Sequence, residues 1–288
     1  MSTITLNDGN TIPTLAIGTG TALFGKDATN AISLAIQVGF THLDTAQAYN
    51  NEDSVGEGIL KSGHDRSELY VTTKLWKLPE GTTVEESLRE SLKKLKLDYV
   101  DLFLIHNPLN HPDLKGLWKE FEGLKEKGLT KSIGVSNFQP VHLNEILEVA
   151  TVPPAVNQIE YHPYVFTAST GIIDVHKQHN IIGASYGGLT PIVRAPGKGI
   201  EPVLDKIVAR IAKDVGHPVT QGQVLQLWLR KKGFVTVTTT SKVERLQEYL
   251  VVHTLPDITS EEEEEIDTVG GKVHYRAFVS ILFVLYHP

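Results

Sequence analysis

Four polar residues of this sequence could together assist the reduction of a carbonyl group. Asp44, Lys74 and His106 each end a short apolar run, and Tyr49 follows Asp44 by five residues. Such runs predict buried parallel strands, and the carboxyl ends of successive strands in a βα barrel meet at one mouth. A tyrosine at that mouth could donate a proton, because a lysine cation beside it lowers its pKa from the usual value of about 10. Asp44 could hold the lysine charged, and His106 could orient a carbonyl oxygen.

The elements that must position these residues alternate between strands and helices. Strand-like runs, most of them about 25–30 residues apart as in βα units, end near Gly18, Asp44, Lys74, His106, Ser136, Glu160, Tyr186 and Thr238. Helical patterns cover 30–38, 84–95, 114–127, 141–149, 202–215 and 219–232, and a last helix opens with a capping box of Ser260 and Glu263. Asn7-Asp8-Gly9-Asn10 is typical of a β-hairpin. We therefore expect one α/β domain over 1–288, a single (β/α)8 TIM barrel with an N-terminal β-hairpin and extra helices.

The composition argues against several classes of protein. A net charge of −7 disfavours nucleic acid or an anionic membrane as the main partner. There are no cysteines, and His176 and His179 have no apparent third ligand, so no metal site is predicted. The chain shows no signal peptide and no run of about 20 apolar residues. We expect a cytoplasmic monomer or homodimer that acts on a small-molecule carbonyl substrate, with the apolar tail over 277–286 packed on the protein.

Five motifs in the same order resemble the aldo-keto reductase family, and the resemblance runs nearly from end to end. They cover residues 39–46 together with Tyr49, and then 72–76, 98–106, 134–138 and 155–163. The resemblance implies that Tyr49 is the proton donor and that Lys74 lowers its pKa. It also implies that Asp44 supports the lysine and that His106 positions the substrate carbonyl.

The same resemblance implies a nicotinamide cofactor site. Ser136, Asn137 and Gln158 would bind the carboxamide of the nicotinamide, and Tyr186 would stack on its ring. Other residues expected to contact the cofactor are Gly18, Thr19, Thr21, Asp44, Gly187 and Leu189. The alternative for Ser136 and Asn137 is a structural role in a strand-to-helix turn.

The loop after the last strand corresponds to the family's site for the adenosine 2′-phosphate. Its candidate residues are Thr239, Thr240, Ser241, Lys242 and Arg245. Two positions depart from the family pattern, since the common lysine falls at Thr239 and the common adenine-contacting asparagine falls at Tyr249. NADPH is the expected cofactor, and the alternative for this loop is a capped helix with ordinary surface charges.

The predicted substrate follows from a further departure. Many relatives carry tryptophan after the catalytic histidine, whereas this chain has Asn107. The loop after the first strand likewise lacks the usual tryptophan. Fewer aromatic walls than in these relatives indicate a more polar or differently shaped pocket, lined by Tyr49, His106 and Asn107. These features resemble fungal reductases of conjugated polyketones and α-keto amides, which implies α-dicarbonyl, keto-lactone or α-keto amide substrates. Two alternatives remain: a non-catalytic barrel that senses redox state through NADPH, and a lyase in which Lys74 forms a Schiff base.

Overall fold

Residues 2–278, which the structure describes, are built around a closed barrel of eight parallel strands in this computed structural model. Each barrel strand pairs with its neighbours in chain order, and the last strand closes the barrel on the first. A two-stranded antiparallel hairpin precedes the barrel. The hairpin strands are β1 (Thr3–Thr5) and β2 (Thr11–Pro13). The barrel strands are β3 (Leu15–Gly18), β4 (His42–Asp44), β5 (Tyr70–Leu75), β6 (Val100–Ile105), β7 (Thr130–Ser136), β8 (Val156–Glu160), β9 (Ile182–Tyr186) and β10 (Val235–Thr238).

Helices form a shell around the barrel. They are α1 (Thr29–Val38), α2 (Glu52–Ser62), α3 (Val84–Leu95), α4 (Leu114–Glu126), α5 (Pro140–Leu147), α6 (Thr170–His179), α7 (Thr190–Val193), α8 (Glu201–Val215), α9 (Gln221–Lys231), α10 (Val243–Val251) and α11 (Ser260–Gly270). The predicted barrel, hairpin and extra helices are confirmed. No helix within the described residues is long and apolar enough to cross a membrane.

Local chemistry explains where several helices begin. In α3, Thr83 accepts from the Glu86 amide and the Glu86 carboxylate accepts from the Thr83 amide, so two free donors of the first turn are satisfied. The same arrangement begins α11, where the partners are Thr259 and Glu262. The predicted capping pair of Ser260 and Glu263 is therefore wrong by one residue, because Thr259 has the extended backbone that a capping residue needs.

The hairpin closes one end of the barrel and leaves the other end open. Leu6 and Ile12 are buried against the apolar side chains inside the barrel, among them Leu102, Leu104 and Val156. A larger apolar layer lies between the strands and the helices. The open end is therefore the one where the strands finish. The predicted packing of the tail concerns mostly residues from 279 onward, which lie outside the part of the chain that the structure describes.

Candidate active site

The open mouth of the barrel brings the four predicted chemical residues together: Asp44, Tyr49 and His106 line one cavity, and Lys74 lies buried beside it. Asp44 is the last residue of β4, Lys74 is the penultimate residue of β5, and His106 directly follows β6. Tyr49 ends a single 3₁₀ turn that follows β4. Gly20 makes room for it, since a β-carbon there would lie 2.6 Å from the Tyr49 ring. The cavity holds about 580 Å³, a size that suits small-molecule ligands.

A buried ion pair lies beneath the phenol. The Lys74 ammonium lies 2.5 Å from the Asp44 carboxylate and 3.3 Å from the Tyr49 hydroxyl, and it also donates to the Thr45 carbonyl at 2.9 Å. The Lys74 side chain is completely buried. Because three oxygens surround the ammonium, its charge is held at a set distance from the phenol.

Charge and burial act on these groups in opposite directions. Burial alone would lower the pKa of Lys74, but Asp44 and Tyr49 outweigh burial and raise it, so the lysine is a cation at neutral pH. Burial raises the pKa of Tyr49, and the charge of Lys74 lowers it only in part. The predicted lowering of the Tyr49 pKa by Lys74 is thus present, but burial outweighs it, because a phenolate loses its hydration in this site.

His106 is a neutral imidazole whose proton position follows from its surroundings. Burial and the nearby charge of Lys74 keep the pKa of His106 well below its ordinary value. Its Nδ1 atom is buried without a hydrogen-bond partner among the described residues. An N–H at Nδ1 would therefore be unsatisfied, which favours the tautomer that carries the proton on Nε2. The ring lines the cavity, with its centroid 5.5 Å from that of Tyr49.

The four residues predicted to bind the nicotinamide also line the cavity. Tyr186 donates to Asn137 Oδ1 at 2.7 Å, and Ser136 donates to the Gln158 carbonyl at 2.8 Å. Gln158 donates to the second oxygen of Asp44 at 2.7 Å, which joins this group to the ion pair. Asn137 has a φ of 65°, a left-handed conformation that asparagine tolerates well. The predicted turn role and the predicted binding position of Asn137 therefore coincide.

The remaining cofactor candidates separate into two sets. Those that line the cavity are Gly18, Thr21, Asp44, Gly187, Leu189 and Thr239. Thr19 does not: it is fully buried and donates to Asp44 O and Thr45 Oγ1, which makes it a structural residue of the loop. The other candidates that are not among the cavity residues are Thr240, Ser241, Lys242 and Arg245.

Two unpaired hydroxyls show that the cavity wall fits an oxygen-rich group. Thr190 Oγ1 and Thr239 Oγ1 are buried, and neither has a hydrogen-bond partner among the described residues. Gly187 and Gly188, which also line the cavity, lie beside Thr190. Hydroxyls of this kind suit the phosphates and ribose of a dinucleotide, as the resemblance implied.

The substrate side of the cavity differs from the prediction. The Asn107 carboxamide accepts from the Leu109 amide at 3.0 Å and caps a short 3₁₀ turn, and Asn107 is not among the residues that line the cavity. The wall beside His106 is instead Trp76, with ring centroids 5.1 Å apart. Phe24 and Phe278 also line the cavity, so aromatic side chains other than the missing tryptophans form part of its wall. Trp76 follows β5 by one residue, and this position at a strand end was the signal that could have identified it.

One family model and several known proteins are similar to nearly the whole of this chain. The model of the aldo/keto reductase family matches residues 16–270. The NAD/NADP-dependent indole-3-acetaldehyde reductase of Schizosaccharomyces pombe is 36% identical, over 94% of this chain and 96% of its own. The NADPH-dependent alpha-keto amide reductase of Saccharomyces cerevisiae is 32% identical, over 92% and 90%. The crystal structure of a Bombyx mori aldo-keto reductase in complex with NADP has a TM-score of 0.78 and 30% identity, over 93% and 92%.

Proposed function

Because the chain belongs to the aldo/keto reductase family, we propose that it reduces activated ketones and aldehydes to alcohols with NADPH, and that Tyr49 is the proton donor. The protein is an NAD(P)-dependent carbonyl reductase of that family. One observation carries the proposal. The Tyr49 hydroxyl faces the cavity 3.3 Å from a buried ammonium whose position is held by Asp44.

These residues divide the proton chemistry among them. When bound, the nicotinamide supplies the hydride that attacks the carbonyl carbon. Tyr49 donates a proton to the carbonyl oxygen, and the Lys74 cation stabilises the phenolate that remains. His106 donates a hydrogen bond from Nε2 to the same oxygen, which orients the carbonyl in the cavity. Both donors stay protonated at neutral pH, because the pKa of Tyr49 is raised and the neutral histidine keeps its single N–H.

The cofactor is held by the residues that line the remainder of the cavity. We assign the carboxamide to Ser136, Asn137 and Gln158 and the ring face to Tyr186, since all four line the cavity and Gln158 donates to Asp44 of the ion pair. The preference for NADPH depends on the loop that contains Thr239, Thr240, Ser241, Lys242 and Arg245. The S. cerevisiae relative is named for NADPH alone and the S. pombe relative for both cofactors.

For the substrate we propose α-dicarbonyl compounds, α-keto amides and keto lactones. Hydride attack is easiest where a neighbouring group withdraws electrons from the carbonyl carbon. The name of the S. cerevisiae relative agrees with this class, and that of the S. pombe relative points to an aromatic aldehyde. The aromatic walls of Trp76 and Phe24 suit a substrate with an apolar arm.

The state of Lys74 disfavours the alternative lyase. A lysine that forms a Schiff base must present a neutral amine to the substrate. Lys74 is completely buried, and its raised pKa keeps it charged. The alternative of a non-catalytic redox sensor does not use the proton donor, so turnover separates it from the proposal.

The first experiment measures the loss of NADPH absorbance with a diketone, an α-keto amide and an aromatic aldehyde. Tyr49→Phe should lower kcat by about 10²–10⁴-fold, which is the usual contribution of general acid catalysis. NADPH affinity should stay the same, because the variant removes an interaction made only in the transition state. If Tyr49→Phe keeps more than about a tenth of wild-type turnover, the assignment of the proton donor is wrong.

A further inference from the structure

One buried carboxylate holds the last described residues across the rim of the cavity. Glu160 ends β8, and its side chain has no exposed surface. One of its oxygens accepts from the Ala277 amide at 2.6 Å, and the other accepts from the Phe278 amide at 3.4 Å. Both oxygens of the carboxylate are therefore directed at the backbone immediately before the Phe278 ring.

Other groups keep Glu160 ionised in this position. Burial alone would raise the pKa of Glu160, but hydrogen bonds from His162 and the Ala277 amide outweigh burial and hold the pKa below its ordinary value. His162 Nε2 lies 3.1 Å from one oxygen, and the Arg276 guanidinium lies 4.0 Å from the other. Burying a carboxylate costs free energy unless hydrogen bonds compensate for its lost hydration, so Glu160 needs these donors to stay ionised.

The surroundings of the Phe278 ring form a seat for an aromatic side chain. Its centroid lies 5.3 Å from that of Tyr186, with the rings perpendicular, and the Arg194 guanidinium covers it at 4.6 Å. Gly187 admits the ring closely, since a β-carbon there would lie 2.9 Å from it. Phe278 also lines the cavity. The ring thus contacts the aromatic side chain that we assign to the nicotinamide and also forms part of the cavity wall.

The other anchors of this segment lie further from the ring. The Tyr275 amide donates to the Tyr164 carbonyl at 3.2 Å, and the Tyr275 hydroxyl donates to the Arg194 carbonyl at 3.4 Å. Both hold the chain three residues before Phe278. Among the described residues, Glu160 is therefore the group that sets the direction of the chain at Ala277 and Phe278.

We propose that Glu160 is a positioning residue that acts through Phe278: it fixes the backbone so that the ring stays against Tyr186 as a wall of the substrate cavity. This inference rests on the proposed function, because it takes the cavity as the place where the carbonyl is reduced. Glu160 touches neither reactant in this arrangement. Its effect on catalysis should therefore appear only through the ring that it places.

The test is a double-mutant cycle with Glu160→Gln and Phe278→Ala. Glutamine has one acceptor oxygen and presents an NH₂ group where the second amide needs an acceptor, so the backbone is released on one side. Each single variant should raise KM for a diketone by about five- to tenfold and change kcat less than about twofold. The double variant should raise KM no more than about twofold beyond the more impaired of the two single variants, since both changes remove the same wall.

Two matched controls separate positioning from a general loss of stability. Glu122 is also a buried carboxylate that accepts from two successive amides, those of Thr151 and Val152, on the helical shell. Glu122→Gln should lower Tm as Glu160→Gln does and leave KM unchanged. Phe278→Tyr keeps an aromatic ring in the seat and should retain a KM near that of the wild type. If Glu160→Gln fails to fold, Ala277→Pro removes the 2.6 Å hydrogen bond from the other partner and takes its place in the cycle.

Failure of the positioning role of Glu160 and failure of the proposed carbonyl reduction give different results. If the wild type turns over carbonyl substrates but the losses of the two variants multiply, or Glu122→Gln raises KM equally, the positioning role is overturned. If the KM of the double variant is close to that of the more impaired single variant, and Phe278→Tyr does not show the rise in KM seen in Phe278→Ala, the role is established. If the wild type reduces no carbonyl substrate, the proposed function fails and the positioning role fails with it.

Discussion

The inner and outer ends of the cavity are built on different principles. At the inner end, Lys74, Asp44 and Gln158 are buried strand residues joined by hydrogen bonds of 2.5 and 2.7 Å. At the outer end, the loop that starts at Thr239 on the cavity wall leads to Arg245, which lies outside the cavity in the first turn of α10 and forms an ion pair with Glu248 at 3.1 Å. If the proposed roles hold, we expect the chemical step to depend on the buried inner group, whereas cofactor preference should depend on exposed charges that each contribute little.

The largest expected effect is at the inner end. Lys74→Met should lower kcat by roughly 10²-fold or more, because the proton donor loses the cation that stabilises its phenolate. Loss of that cation also raises the pKa of Tyr49, so any decline of the rate at alkaline pH should move to higher pH, since the donor keeps its proton longer. The pH dependence of kcat measures both effects.

The matched control for Lys74 lies at the closed end of the barrel. Lys125 also forms an ion pair with an almost buried aspartate, Asp8, at 2.7 Å. Lys125→Met should leave kcat and its pH dependence unchanged. A loss equal to that of Lys74→Met would mean that the barrel as a whole, and not the inner group, is sensitive to lost ion pairs.

An intermediate effect is expected at the outer end. Arg245→Ala should weaken NADPH binding about tenfold, since a charge-assisted hydrogen bond contributes roughly 1.5–3 kcal/mol and Glu248 competes for the cation. Binding of NADH, which lacks the 2′-phosphate, should hardly change. Titration of each cofactor by protein fluorescence tests this. Arg89→Ala, which breaks a similar exposed helix pair with Glu85, is the control. Equal weakening of both cofactors would mean that Arg245 is structural.

The smallest effect concerns the substrate wall beside His106. Trp76→Leu should change the ratio of kcat/KM for an aromatic aldehyde to that for a diketone by about two- to tenfold, because an aromatic contact contributes about 0.5–1.5 kcal/mol.

Asn107→Ala should act mainly on stability, with a loss of about 1 kcal/mol in the free energy of unfolding, because Asn107 caps a turn. If Asn107→Ala changes the ratio and Trp76→Leu does not, the sequence-based assignment of Asn107 to the pocket is restored.

One helix shows why local pattern and tertiary packing can disagree. The sequence pattern does not predict α2, whose residues include Gly56 and Gly58, and glycine weakens a helix by about 1 kcal/mol relative to alanine. In the structure these glycines allow close contact, since a β-carbon at Gly56 would lie 2.6 Å from the Lys94 carbonyl and one at Gly58 would lie 2.7 Å from Ile32. The same glycines that weaken the helical pattern in the sequence allow the neighbouring helices to approach α2 closely.

The amino-acid order alone predicts the barrel and most of the inner end of the site. Eight apolar runs that alternate with helices favour parallel strands in a closed barrel, and the ends of such strands meet at one mouth, which brings Asp44, Lys74 and His106 together. Only the folded chain shows which loop side chains face the cavity. Asn107 turns toward a backbone amide, Thr19 is buried beneath the loop, and Phe278 reaches the mouth from the far end of the chain. These orientations depend on contacts between residues far apart in the sequence, which no local pattern records.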